Sequence, residues 1–248
     1  MQTPTPTLVA APANELGLRP GEAMAFEVHL AGILAGEAQL AVGEIGLIDG
    51  HRAVVVRSRA ATAGAAALIR KITDEATTVI DVETGRPLSL ETVVEQGDKR
   101  ITASAKFTGN IATVKYQRSE DKEPKTSVLN FGTTTVHDAH TAMAQLRGWK
   151  GTKGQTRTVF VVGGRRLWRI DVTYAGEETI GGALGNRRAI VFDGKSYRAR
   201  NNMTVESEKP SRTFKVWLSD DADRVPIKVS ASTELGDIEM DLVEYNRP

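Results

Sequence analysis

The sequence contains no cysteine, which excludes disulfide bonds, thiolate catalysis and zinc–thiolate sites. Neither sign of charge is in clear excess: the net charge is only +1, so the whole chain has no general attraction to nucleic acid or to an anionic membrane. No apolar run approaches the ~20 residues of a membrane-spanning helix. P-loop, dinucleotide-binding and Gly-x-Ser-x-Gly motifs are absent, and the glycine-rich segment 181–185 has no following helix to bind a phosphate. What is present is the composition of an ordinary globular protein, with 40% hydrophobic and 25% charged residues.

The first twenty residues differ from the rest of the chain. They are rich in Thr, Pro and Ala and predict a flexible leader over residues 1–20. The leader has neither the charged start nor the apolar run of a signal peptide. Two interpretations stay open: a mature exported protein whose signal was replaced by Met1, and a cytoplasmic protein with a disordered start.

Alternating apolar and polar residues dominate the remainder. Phe26, Val28 and Leu30 would share one face of a strand, and about fourteen such strands can be found along the chain. Two-residue turn signals connect several of them: Asp49-Gly50, Gly109-Asn110 and Gly163-Gly164. The pattern predicts an antiparallel all-β protein.

One segment clearly has helical character. Asp138 is a good N-cap, Arg147 complements the dipole of the last turn and Gly148 supplies a stop, which predicts a helix over about 138–147. The small-residue segment 60–67 fits either a short helix or a closely packed strand.

The chain also repeats itself weakly. Equivalent features recur at offsets of 136 to 140 in the same order, which indicates an internal duplication; they are Gly36 and Gly176, Arg52 and Arg188, Pro87 and Pro226, and Gly97 and Gly236. We therefore expect two tandem related β units, at 21–117 and 156–248, joined by a linker at 118–155 that contains the helix. The units would form one large curved sheet or barrel, which would bury their open edges, with two separate small barrels as the alternative.

Three segments resemble a family of bacterial exported proteins known as domain of unknown function 3108. They are FEVHLAGILAGEAQL at 26–40, VHDAHTAMAQLRG at 136–148 and WLSDDADRVP at 217–226. The resemblance covers about 21–245, and the alanine-rich segment 60–67 departs from it. It implies an all-β protein that is periplasmic, secreted or lipid-anchored, with the native signal peptide or anchor absent from this sequence. Because the family has no established role, the resemblance carries no enzymatic activity over to this chain.

The strongest candidate for metal binding or catalysis is the cluster of His137, Asp138 and His140, because histidine and carboxylate serve as metal ligands and as acid–base groups. A helix N-cap explains Asp138, and His29 or His51 would have to supply a third ligand from afar. We assign no catalytic residue, cofactor or metal, and keep His137 and His140 only as weak metal candidates. A hydrolase or lyase that uses this cluster is a distant alternative.

Another candidate cluster is acidic: Asp220, Asp221 and Asp223 could suggest a calcium site. The segment lacks the glycine at the sharp turn and the downstream ligand of a calcium-binding loop. We interpret it as a turn whose carboxylates accept backbone amides beside Arg224.

The segment 139–170 contains no acidic residue but many basic ones, with tryptophans between them. It could face an acidic partner, or it could be a solvated surface opposite the protein's own acidic tail. Next to it, Trp168, Ile170, Val172 and Tyr174 alternate onto one strand face. The predicted ligand-binding residues are Arg147, Trp149, Arg165, Arg166, Trp168, Ile170 and Tyr174.

These observations favour a non-enzymatic envelope protein that binds a small apolar or amphipathic ligand in a curved β sheet. The alternative is a structural or interaction module in which the basic segment 147–169 binds an acidic partner, for instance another envelope protein. We expect no nucleic-acid partner, because no nucleic-acid-binding motif accompanies the charge.

Overall fold

The computed structural model describes residues 16–233 and 236–248, which form sixteen strands and two helices. The elements of the first half are β1 (Ala23–Leu30), β2 (Ile33–Val42), β3 (Gly46–Ile48), β4 (His51–Thr62), α1 (Gly64–Ile69), β5 (Ile72–Asp81), β6 (Pro87–Gln96), β7 (Lys99–Thr108), β8 (Ile111–Arg118) and β9 (Lys125–Asn130). Those of the second half are β10 (Val136–His137), α2 (Ala139–Gly148), β11 (Thr156–Gly163), β12 (Arg166–Ile180), β13 (Arg187–Ala199), β14 (Arg212–Ser219), β15 (Pro226–Thr233) and β16 (Gly236–Asn246).

All strands belong to one sheet. Its order is β10-β11-β12-β13-β14-β15-β16-β1-β2-β4-β5-β6-β7-β8-β9, with β3 paired to β4. The pairs are antiparallel, as predicted, except for the short parallel pair of β10 and β11. The two halves meet where β16 pairs with β1 along eight residues of β1. One large curved sheet is therefore confirmed, rather than two separate barrels.

The sheet rolls up without a hydrogen-bonded closure, because its order ends at β10 and β9 in the part of the chain that the structure describes. Side chains join the two ends instead. Val162 of β11 and Leu167 of β12 lie opposite each other and are buried with Leu90, Val114 and Leu129 of β6, β8 and β9. We call this contact the seam.

The strands overlap at the seam. Val162 and Leu167 are on the opposite face of their hairpin from Val161 and Ile170, which face α2. The residues that they meet on β6 to β9 share a face with Thr78, which hydrogen-bonds to residues of α2. The β11–β12 hairpin therefore lies inside the other end of the sheet, like the inner turn of a scroll.

Helix α2 occupies the concave face of this scroll. The predicted N-cap is confirmed: the Asp138 carboxylate accepts the Thr141 amide at 2.9 Å, and the Thr141 hydroxyl accepts the Asp138 amide at 3.0 Å. Ala144 packs against the core of the first half, while Met143 and Leu146 pack against the core of the second half. The helix thus touches both halves of the sheet.

The structure adds detail to the sequence-based description of three segments. Leu16 and Leu18 of the predicted leader are buried in the core next to Ala144, because two leucines at this spacing find an apolar surface under α2; residues 1–15 lie outside the described residues. The linker contains β9 and β10, which extend the sheet at both ends. The small-residue segment 60–67 is divided, with strand up to Thr62 and helix α1 from Gly64.

Positions of the predicted duplication occupy similar places in the sheet. Ile80 pairs with Pro87 beside a β-bulge, and Leu218 pairs with Pro226 beside another, with both aliphatic side chains fully buried. Gly176 likewise adjoins a bulge between β12 and β13. The duplication itself stays a prediction, which these shared irregularities support.

Candidate functional site

An apolar cavity of about 250 Å³ lies between α2 and strands β11, β12 and β14. Most of its wall is aliphatic or aromatic; the side chains that line it include Met143, Leu146, Val159, Val161, Ile170 and Phe214. Strand alternation explains the lining, because Val159 pairs with Ile170 and Val161 with Trp168, which places these residues on the face toward the helix.

A glycine shapes one wall. Gly194 of β13 lies opposite Phe214 of β14, and a Cβ at Gly194 would lie 2.0 Å from Phe214 Cζ. The Phe214 ring therefore occupies the space that a side chain at 194 would need, so a larger residue at 194 would displace the ring from its place in the cavity wall.

Trp149, the residue after α2, closes another wall. Trp149 is 3% exposed, and its ring centroid lies 5.4 Å from that of Phe192. The guanidinium of Arg157, on β11, lies 4.7 Å from the centroid of the Trp149 ring. Tyr174 packs edge-on against Phe192 at 5.3 Å. The aromatic cluster fixes Trp149 at the cavity.

Two basic side chains mark the ends of the cavity along β11. Arg157 is exposed, whereas His137, which pairs with Val161, is buried, and its Nδ1 has no hydrogen-bond partner among the described residues. Burial lowers the pKa of His137, and the charge of Arg86 lowers it further, against an opposing effect of Asp138. The cavity thus runs from a charged, open end to a neutral, buried end.

The other members of the histidine cluster form a buried hydrogen-bonded chain. His140 Nε2 lies 2.9 Å from Ser58 Oγ, His140 Nδ1 lies 2.7 Å from Thr78 Oγ1, and the Thr78 hydroxyl hydrogen-bonds to the Asp138 carboxylate. Asp138 also accepts the Thr141 hydroxyl at 2.6 Å. The chain connects the start of α2 to β4 and β5.

The direction of each hydrogen bond in this chain follows from the carboxylate. Asp138 can only accept when it is ionised, so Thr78 donates to it and must accept from His140 Nδ1. His140 Nε2 is then unprotonated and accepts from the Ser58 hydroxyl. Burial lowers the pKa of His140, which favours this neutral form. Asp138 and His140 therefore satisfy each other's polar groups through Thr78, and no set of three or more metal-binding side chains occurs within residues 16–233 and 236–248.

A buried ion pair fixes the other end of α2. The Arg147 guanidinium binds the Glu22 carboxylate in a bidentate manner, with 2.5 Å for Nη1–Oε1 and 2.9 Å for Nη2–Oε2. Arg147 also donates to the Asp223 carbonyl, and both charged side chains are at most 2% exposed. The His140 chain and this ion pair therefore connect both ends of α2 to the rest of the protein.

The family model described as "Protein of unknown function (DUF3108)" matches residues 25–243. The chain belongs to this family. No match was found among curated proteins.

Solved structures are similar to this DUF3108 chain to different degrees. A β-barrel-like protein of the family DUF1849 from Brucella abortus matches with a TM-score of 0.60 and 14% identity, over 91% of this chain and 96% of that one. A candidate exported protein with a YmcC-like fold from Bacteroides fragilis gives 0.41 and 10%, over 92% and 97%. A candidate lipoprotein from Parabacteroides distasonis gives 0.38 and 9%, over 92% and 96%. The first of these shows a common barrel-like architecture.

The seven ligand-binding residues predicted for this DUF3108 chain lie in different places. Trp149 and Ile170 line the cavity, and Tyr174 and partly buried Trp168 lie on the same strand face as Ile170. Arg147 is the buried partner of Glu22. Arg165 and Arg166 line a separate cleft. Their role in binding stays a prediction, and the sequence did not point to Phe214 or Gly194 because both lie on other strands.

The remaining charged segments of the DUF3108 chain have internal partners. Asp221 accepts the amides of Asp223 and Arg224 and the Ser219 hydroxyl, which confirms the turn. Two residues of the acidic tail, Glu239 and Asp241, form ion pairs with Lys228 of β15 and not with the basic segment. Neither helix in the described part of the chain is long and apolar enough to cross a membrane.

Proposed function

We propose that this DUF3108 protein is a non-enzymatic component of the bacterial envelope, periplasmic or secreted, that binds an apolar or amphipathic molecule between α2 and the second half of the sheet. The observation that supports this proposal is the apolar cavity of about 250 Å³. Native cores are packed closely, so a cavity of this size inside a fixed wall is unusual unless a ligand fills it.

The shape of the cavity favours an elongated ligand. From Arg157 to Val161 the strand advances by four residues, or roughly 13 Å. An apolar chain laid along β11 would contact Val159 and Val161 and would leave a polar end near Arg157. Each Å² of apolar surface buried in this way contributes about 25 cal/mol to binding.

The non-enzymatic role rests on the use that the protein makes of its polar groups. His140 uses both ring nitrogens in hydrogen bonds to Thr78 and Ser58, and Asp138 accepts hydrogen bonds on both carboxylate oxygens. These bonds fix α2 on the sheet and occupy His140 and Asp138. His137, whose Nδ1 has no hydrogen-bond partner among the described residues, lines the apolar cavity, where burial lowers its pKa. A reaction at His140 or Asp138 would have to break a satisfied buried network, which is costly.

Native mass spectrometry of the protein purified from its own cells without detergent tests the proposal. We expect a discrete extra mass that organic extraction removes. Ala142→Phe should abolish this mass, because Ala142 lines the cavity and a phenyl group would fill it. Ala65→Phe on exposed helix α1 is the matched control and should keep the mass.

A bare mass for the unmodified protein would contradict the carrier role and would direct attention to the basic segment 147–169 as a docking surface. An extra mass that survives in folded Ala142→Phe would place the ligand outside this cavity.

A further inference from the structure

We infer a second binding site, for a phosphate group, in the cleft where β12 begins and β13 ends. The cleft has a volume of about 570 Å³ and is lined by four arginines, Arg165, Arg166, Arg198 and Arg200, with Glu206 among them. It is separate from the apolar cavity, and neither proposal depends on the other.

The arginines are held close together by the strand register. Trp168 pairs with Arg198 and Leu167 with Ala199, so Arg166 and Arg198 lie on the same face of neighbouring strands. Arg200 follows directly, where its amide bonds to the Thr204 carbonyl in a short turn. The side chains therefore meet because of the backbone, and not because a carboxylate gathers them.

Carboxylates neutralise only part of this charge. Arg198 pairs with Glu206 at 3.0 Å and Arg200 pairs with Glu208 at 3.0 Å. Arg166 makes no ion pair within the described ranges, and the Arg165 guanidinium lies 5.1 Å from the centroid of the Tyr116 ring. Four guanidinium groups against two carboxylates leave an excess of two positive charges.

The crowding affects Arg166 in particular. The pKa of Arg166 is lowered, first by burial and then by the charges of Arg198 and Arg165, while Glu206 and Tyr116 oppose this effect. A guanidinium that is destabilised by like charges gains most when an anion arrives. Arg166 lines the cleft and makes no ion pair within the described residues, so it is the side chain through which the cleft would bind its ligand.

The chemistry of the cleft fits a phosphate monoester. Such a group carries a charge of about −1.5 to −2 at neutral pH and three acceptor oxygens, which matches the excess of two positive charges. The planar guanidinium forms two parallel hydrogen bonds with phosphate oxygens. The group could be part of a soluble phosphorylated compound or of a lipid headgroup, and the experiment distinguishes the two sources.

Isothermal titration calorimetry with inorganic phosphate, against a chloride background of equal ionic strength, tests the site. We expect saturable binding that Arg166→Gln weakens about tenfold, the loss of one charge-assisted contact. Arg166→Gln breaks no ion pair of the described structure, so the variant should fold. Lys195→Gln is the matched control, because it removes the same charge from the outer face of β13 and should leave binding unchanged.

Flotation with vesicles of phosphatidylcholine containing phosphatidic acid identifies the source. Binding that depends on Arg166 and on phosphatidic acid would assign a lipid headgroup, whereas phosphate binding without flotation would assign a soluble phosphorylated compound. The inference is wrong if neither probe binds, or if Arg166→Gln and Lys195→Gln behave alike in both assays.

Discussion

At the residue scale, the Glu22–Arg147 pair shows what charge patterns in a sequence leave undetermined. Arg147 was predicted as part of a ligand-binding surface and as a partner of the helix dipole. In the structure it is a buried side chain whose carboxylate partner lies 125 residues away. No local pattern indicates such a contact, because it depends on the rolled sheet bringing the start of β1 under the end of α2.

We expect Arg147→Met to destabilise the protein by about 3–5 kcal/mol, because it leaves the fully buried Glu22 carboxylate without its partner. Urea unfolding measures the change. Arg59→Met is the matched control: it breaks the Arg59–Glu75 pair, in which both side chains are more than half exposed, and should cost less than about 1 kcal/mol. Similar losses in both variants would show that Glu22 stays solvated.

At the scale of elements, helix α2 could be predicted from the sequence and its surroundings could not. The N-cap at Asp138 and the stop near Gly148 are local signals, and they gave the helix to within a residue or two. Strand β9 was missed because only one of its residues, Leu129, is buried, so the sequence shows no alternation. The sequence predicted only part of the cavity wall. The alternating apolar face of β12 could be recognised, but the contribution of Phe214 from β14 could not.

Two buried histidines, His137 of β10 and His140 of α2, should make stability depend on pH. The pKa values of His137 and His140 are lowered from 6.5 in the folded protein, mainly by burial. The unfolded chain therefore takes up protons first as the pH falls through 6.5. The stabilisation from the neutral imidazoles is complete above that pH and is lost progressively between 6.5 and the lower folded-state values.

We expect the free energy of unfolding to fall between about pH 7.5 and pH 5.5, and to fall less steeply in His140→Gln. The comparison uses the slope with pH and not the absolute stability, because the substitution also disturbs the hydrogen bonds to Thr78 and Ser58. His51→Gln is the control, since His51 is exposed beside Asp81. Equal slopes for the unmodified protein and His140→Gln would mean that folding does not change the pKa of His140.

At the scale of the whole molecule, the sequence predicted one curved sheet but not how its ends meet. The alternating strands and hairpin turns act between neighbours in the sequence, so they determine neither the pairing of β16 with β1 nor the contact between the two edges. The seam depends on Val162 and Leu167, which local patterns do not mark. Val161 and Val162 are both buried, so alternation does not single out Val162, and Leu167 lies on the face of β12 that also carries Arg169 and Asp171. The scroll thus protects its edge strands by overlap and not by hydrogen bonding.

The seam should be the part of the fold that opens first when its packing is weakened. Leu129 of edge strand β9 is 3% exposed in the seam, and we expect Leu129→Ala to cost about 2–5 kcal/mol and to speed amide hydrogen exchange in β8, β9 and β10. Val128, its neighbour on the outer face, is 59% exposed, so Val128→Ala should change stability by no more than about 0.5 kcal/mol. Faster exchange spread evenly over the whole sheet would instead mean that the scroll opens as a single cooperative unit. Because the β11–β12 hairpin forms both the seam and a wall of the apolar cavity, local opening at β9 would also release the outer support of the cavity. Under the proposed function, a weakened seam should therefore speed the release of the proposed ligand.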